Sequence, residues 1–273
     1  MLKRYSWLLF LLLAVIIPFG IKNISGAEAE FTYQRAYQDY IYYMDLYRQA
    51  YNEFQLARSQ YLQSKTLTAK SNAQSATLKL LQTRDEVVKT QLTAIRQKIQ
   101  DTAGISSSEK QLLYSQIDSE VAWFDNHKKA LTSAGTLEDL VKDNEAASER
   151  YKGTLLVSYG ALNSISVGKI VNFRETISKI ITDINKKVSE IRENDDKETQ
   201  KIERWLLETD NRLTRSREKE QSARNLISSI KPDQRNIQDI FNDSQFTLEE
   251  SYQFIKEANN YLKEIVREIK TAD

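Results

Sequence analysis

Between Phe31 and Asp101 the chain carries apolar side chains at alternating steps of three and four, with no Gly and no Pro to interrupt them. The first half places Tyr33, Tyr37, Tyr40, Met44, Tyr47, Tyr51, Phe54, Arg58 and Tyr61 on one helical face. The second half continues with Leu78, Leu81, Asp85, Val88, Leu92, Ile95 and Ile99, an apolar stripe with one charged interruption. Read as a single helix, the stretch reaches roughly 105 Å at the α-helical rise per residue. Such an arm needs a partner helix along its length. The small polar run TLTAKSNAQSA lies between the two stripes and predicts a tight, weak seam there.

The first reversal is expected at DTAGISSSEK, where Gly104 can take a left-handed conformation after a helix and Ser106 stands three residues before Glu109, the spacing of a capping box. A second, shorter helix follows, with Leu113, Ile117, Glu120, Phe124 and Lys128 on one face, broadened by Leu112, Val121 and Trp123. Gly135 and the Thr136/Asp139 pair then predict a stop and a new cap. Around Gly153, Gly160 and Gly168 two readings compete. The stretch is either a helix whose small residues let a neighbour approach closely, or a β-hairpin built on LLVSY and SISVGKIV. A heptad-like stripe resumes at Ile170, Phe173, Ile177, Ile180, Ile184, Lys187 and Ile191, and the final helix uses Ile237, Ile240, Phe241, Leu248, Tyr252, Ile255, Ala258, Asn259, Leu262, Ile265 and Ile269.

These patterns predict an all-α fold, an elongated antiparallel helical hairpin or bundle with coiled-coil character. The expected divisions are an N-terminal segment 1–27, a long helix with a short return helix over 28–135, a third helical region with a glycine-containing centre over 136–231, and a C-terminal helix over 232–273 packed in the same bundle. Composition agrees, with 28% charged residues and few helix breakers, 7 Gly and 2 Pro in 273 residues.

Lys3 and Arg4, the apolar run Trp7 to Ile17, and small residues at Ser25, Ala27 and Ala29 form an export-signal pattern, with cleavage after Ala27 or Ala29. Retention as a membrane anchor is the alternative. The expected location is the periplasm, the cell surface or the extracellular space. No Cys is present, so neither a lipid-bearing Cys nor a disulfide contributes. Residues 31–100 hold 10 basic and 5 acidic groups against 26 and 31 in residues 101–273, a complementarity that favours packing the second part on the first.

Candidate chemistry is sparse. His127 beside Asp125 is the only histidine and is read as a helix-surface residue near a C-terminus. Glu193, Asp195, Asp196 and Glu198 lack the spacing of a calcium loop. No phosphate-binding glycine loop, nucleophile elbow or zinc pattern occurs, so no enzyme, cofactor or metal is expected. Arg212, Arg215 and Lys219 share one helical face and are candidates for a weak contact with an anionic polymer or peripheral membrane, with helix-side ion pairing as the alternative. Interspersed acids and the export signal argue against nucleic acid. Eight of the 14 Tyr lie between residues 33 and 61. Of these, Tyr42 and Tyr43 fall off the stripe and are the candidate partner contacts. The expected function is a structural or interaction protein of the envelope or extracellular space, binding another protein or copies of itself. The alternative is a membrane-active protein that resembles α-helical pore-forming toxins in architecture only.

Overall fold

A computed structural model describes residues 32–193, 199–231 and 234–272. The chain divides into a unit Met1–Phe31, outside the described residues together with the export pattern it carries, and a unit Thr32–Asp273. The second unit is an all-α bundle whose described helices are α1 (Tyr33–Ser64), α2 (Leu67–Asp101), α3 (Ser107–Ala130), α4 (Leu137–Glu193), α5 (Gln200–Ser228) and α6 (Ile237–Ala272). A 3₁₀ turn, Leu131–Ser133, leads out of α3.

The arm expected as one helix is two. Lys65 adopts a left-handed conformation at φ 48°, and Thr66 caps the next helix by accepting from the Ala69 N–H at 3.2 Å. Threonine at an N-cap satisfies an otherwise orphaned amide, which supports a break that needs neither Gly nor Pro. The two helices therefore pack against each other, α2 meeting α1 through Leu80 and Ala76 beside its expected stripe. Ala50 and Phe54 of α1 meet Leu80 of α2, and Lys79 donates to both Glu53 carboxylate oxygens at 2.8 and 2.7 Å. The small residues near the turn, with Ala57, Ala69 and Ala73 buried, line that seam near its closed end.

Beyond the turn α2 serves two neighbours. Leu80 packs toward α1, whereas Val88, Leu92, Ile95 and Ile99 join Leu113, Ile117 and Phe124 of α3 and Ala147, Ala161 and Ile165 of α4. Leu92, Ile99, Ile117 and Phe124 are essentially solvent-free, and each such side chain contributes about 1.5–3 kcal/mol of transfer free energy. The α2–α3 loop closes on α4. Gly104 sits at φ +80°, and a Cβ there would lie 2.1 Å from the Gly168 carbonyl oxygen. Gly168 is matched to it, since its own Cβ would meet Ile105 at 2.5 Å. Thr136 and Asp139 form a reciprocal cap at the start of α4, with amide-to-side-chain bonds of 3.1 and 2.9 Å.

α4 is one helix of 57 residues through all three glycines, roughly 85 Å long by the α-helical rise. The hairpin alternative for residues 153–173 does not occur. Its N-terminal half belongs to the α2–α3 core and its C-terminal half to a second core with α5 and α6. The buried face of that half runs Ile170, Arg174, Ile177, Ile184 and Val188, with Ile181 partly buried. This corrects the expected stripe at alternate positions, for Phe173 and Ile180 are 41% and 38% exposed. Arg174 takes the inner position because Glu220 of α5 receives its guanidinium.

The α5/α6 seam follows steps of four and three on both helices. Ile202, Thr209, Leu213, Ser216, Glu220 and Ala223 are buried on α5, opposite Phe241, Ser244, Leu248, Ser251, Ile255, Ala258, Leu262 and Ile265 of α6. Its polar members are paired. The Ser216 and Ser251 hydroxyls lie 3.0 Å apart, Ser251 also donates to the Ser216 carbonyl at 2.7 Å, and Ser244 donates to Asn163 of α4 at 2.7 Å.

Candidate functional site

The only histidine lies inside the α2–α3–α4 packing, which corrects the expectation of a surface residue. Its side chain is 9% exposed, with Nδ1 2.5 Å from Asp85 Oδ2 and Nε2 3.1 Å from the Asp143 carbonyl oxygen. Trp123 stacks on the ring at 4.9 Å. Asp85, not the neighbouring Asp125, is its carboxylate, and it arrives from 42 residues away because it occupies the inner stripe of α2. Both ring nitrogens lie within hydrogen-bond distance of oxygen atoms, Nδ1 of Asp85 on α2 and Nε2 of the Asp143 carbonyl on α4, so the ring ties the two helices together.

Three further groups of charges surround this tie. Arg84 donates to Asn144 at 2.6 Å, and its other terminal nitrogen lies 3.5 Å from Asp85 Oδ1. Glu120, 8% exposed, accepts two bonds from Arg150 at 2.9 and 2.7 Å and one from the Thr154 hydroxyl at 2.6 Å. Lys89 bridges Glu86 at 3.1 Å and Asp125 at 2.5 Å, Lys128 joins Glu86 at 2.6 Å, and Lys129 joins Asp125 at 2.5 Å. A fourth group fastens the second core. There Arg174 and Arg224 share Glu220, and Arg224 reaches Glu109 of α3 at 3.4 Å.

The lysine cluster makes stability depend on pH. Burial alone would raise the Glu86 carboxyl, but the hydrogen bonds from Lys128 and Lys89 outweigh it and hold it below its ordinary 4.5. Lys129 and Lys89 hold Asp125 down at about 2. Burial would lower the Lys89 ammonium, yet Asp125 and Glu86 raise it above its ordinary 10.5. The two carboxylates therefore stabilise the fold in full above their unfolded values, and this is lost as pH falls below about 4.5 toward about 2. The Lys89 contribution is complete below 10.5 and is lost as pH rises through its raised value. Thermal unfolding followed by circular dichroism should show a falling midpoint between pH 5 and pH 2, and Lys89→Ala should flatten that slope. An unchanged slope in the variant would place the acid sensitivity elsewhere.

The sequence-derived contact residues lie apart from these clusters. Tyr42 is 60% exposed on α1, and the half-buried Tyr43 meets it edge-on at 5.4 Å. On α5, Arg212 pairs with Glu257 at 3.2 Å, Lys219 with Glu250 at 2.8 Å, and Arg215 lies 5.9 Å from the Phe254 ring centre. All three thus face α6 groups. Of the acidic set near residue 195, Glu193 is exposed and Asp195, Asp196 and Glu198 lie outside the described residues. Among the described residues no group of three or more His, Asp or Glu is placed to hold a metal ion.

The buried charge clusters went unread as pairs, although their signal is present in the sequence. Asp85, Glu120 and Arg174 each occupy a position on an otherwise apolar face, and a charge there implies a buried partner on a facing helix. Comparison with known protein families, with curated proteins and with solved structures gives no match for this chain.

Proposed function

We propose that this is a non-enzymatic structural or interaction protein, exported to the envelope or extracellular space. It presents an extended helical surface with coiled-coil seams to a protein partner or to further copies of itself. One observation carries the reading. The ionisable side chains gathered in the interior are tied to one another across helices, whereas Tyr42, 60% exposed, stands beside Ile41, 37% exposed, on a helix whose packing is directed chiefly at α2. An aromatic group with an apolar neighbour and no cover of its own is the kind of anchor that protein interfaces use. No cofactor or nucleic acid enters this proposal, and pairing across α5/α6 accounts for Arg212 and Lys219 better than an anionic ligand does.

The test is photocrosslinking in intact cells from Gln38, an exposed residue one turn before Tyr42. Specific capture that falls in the Tyr42→Ser/Tyr43→Ser variant, with helical content unchanged, supports the surface. Equal capture by the variant rejects it. The membrane-active reading rests on α4, which among the described helices has one stretch long and apolar enough to cross a membrane. Half of that stretch is buried in the bundle, which favours a core role. Leakage of dye-loaded liposomes by the purified chain would reverse that preference.

A further inference from the structure

The turn joining α1 to α2 lies within the longest stretch of the chain without an acidic residue. From Phe54 to Arg84 no acidic residue occurs, while Arg58, Lys65, Lys70, Lys79 and Arg84 are basic. Lys79 is matched by Glu53 at 2.7 Å and Lys70 by Glu138 at 3.7 Å. Among the described residues no acid pairs with Arg58 or Lys65. At the same tip Leu56, Leu62 and Leu67 are 62%, 55% and 85% exposed, and Leu67 is the most exposed large apolar side chain described. The outermost polar ties from elsewhere in the chain reach α2 at Gln74, which donates to the Gly135 carbonyl at 3.2 Å, and at Lys70. The last turn of α1 and the first of α2 project past them. Leu62 and Leu67 flank the left-handed Lys65, so two apolar side chains and a cation share the apex.

We infer that this apex docks on an anionic lipid surface, with Leu62 and Leu67 entering the headgroup region and Arg58 and Lys65 meeting the lipid phosphates. Neither half of the pattern suffices alone. A soluble polyanion would use the cations and leave the leucines in water, and an apolar protein groove would take the leucines but gain nothing from a stretch free of acids. Only an interface that is apolar beneath and anionic above satisfies both. Half-buried Tyr61, one turn back, has the amphipathic ring that suits the same depth. This apex is separate from Tyr42 and Tyr43, and the inference does not depend on the partner reading.

The absence of Cys makes the test direct. The full chain is labelled with an environment-sensitive fluorophore at Leu67→Cys or, as a control of similar apolar character on α6, at Phe246→Cys, which is 69% exposed in the parent. A label at the tip reports its own surroundings regardless of what the N-terminal segment does. Vesicles containing phosphatidylglycerol should shift the Leu67→Cys emission to the blue and leave the control unmoved. Phosphatidylcholine vesicles and dextran sulfate should shift neither. Adding Arg58→Glu/Lys65→Glu should raise the lipid concentration for half-maximal shift at least tenfold, with helical content unchanged. No shift at Leu67→Cys, an equal shift at the control, or indifference to charge reversal would each overturn the inference. A shift that grows with protein concentration without lipid would overturn it in favour of contact between copies.

Discussion

Replacing Gly104 with Val should destabilise the bundle by about 4 kcal/mol, the sum of a left-handed backbone that a β-branched residue resists and an overlap with backbone that cannot move aside. The φ of +80° and the 2.1 Å approach of the Gly168 carbonyl to a Cβ at residue 104 act independently, so neither can be relieved by rotating a side chain. For a domain of this size the unfolding midpoint should fall by roughly 10 °C. Gly168→Ala tests the same contact from α4. Its Cβ would lie 2.5 Å from Ile105 and 3.0 Å from the Ala103 carbonyl, and overpacking should outweigh the helix-propensity gain of about 1 kcal/mol. Gly160→Ala is the contrast, because nothing lies within 4 Å of a Cβ there, and it should stabilise by about 1 kcal/mol. Equal effects at positions 160 and 168 would mean that the loop does not close on α4.

His127→Ala should cost about 1–3 kcal/mol, the range for leaving a buried polar group without its hydrogen-bond partner. Asp85 is 0% exposed, and its Oδ1 already lacks a hydrogen bond, so the loss of the imidazole leaves its side chain with only the 3.5 Å approach of Arg84. The double replacement Asp85→Leu/His127→Leu should recover much of the loss, because it removes the stranded polar group and refills the volume. Denaturant unfolding of the single and double variants measures both. A double variant no more stable than His127→Ala would show that Asp85 is compensated by other groups.

The helical class and most of the boundaries were legible because caps and periodicity agree at Ser106, Thr136 and Gly104. The break at Lys65 was not, since Gly and Pro are the usual punctuation and here a threonine cap and a lysine in the left-handed region do the work. On α4 the expected Ile170, Ile177 and Ile184 are buried, but the alternate positions were read one residue early, at Phe173 and Ile180. Charge pairing with Glu220 decides the first of these, turning Arg174 inward. Polar seam positions such as Thr209, Ser216 and Ser251 hid the regular spacing of α5 and α6, whose hydrogen-bond partners exist only once the two helices meet. Tyr42 was singled out for lying off its stripe, and that same offset places it in solvent.

The architecture of the bundle rests on α4 running unbroken through its glycines and joining the two cores. Spin labels at Lys152→Cys and Lys186→Cys, both exposed and on either side of Gly160 and Gly168, measure that axis by pulsed dipolar spectroscopy. A continuous helix predicts a single narrow distance distribution near about 50 Å from the rise over the intervening residues. A broad distribution, or one centred well below about 40 Å, would mean a bend or break at the glycine segment and would contradict the account.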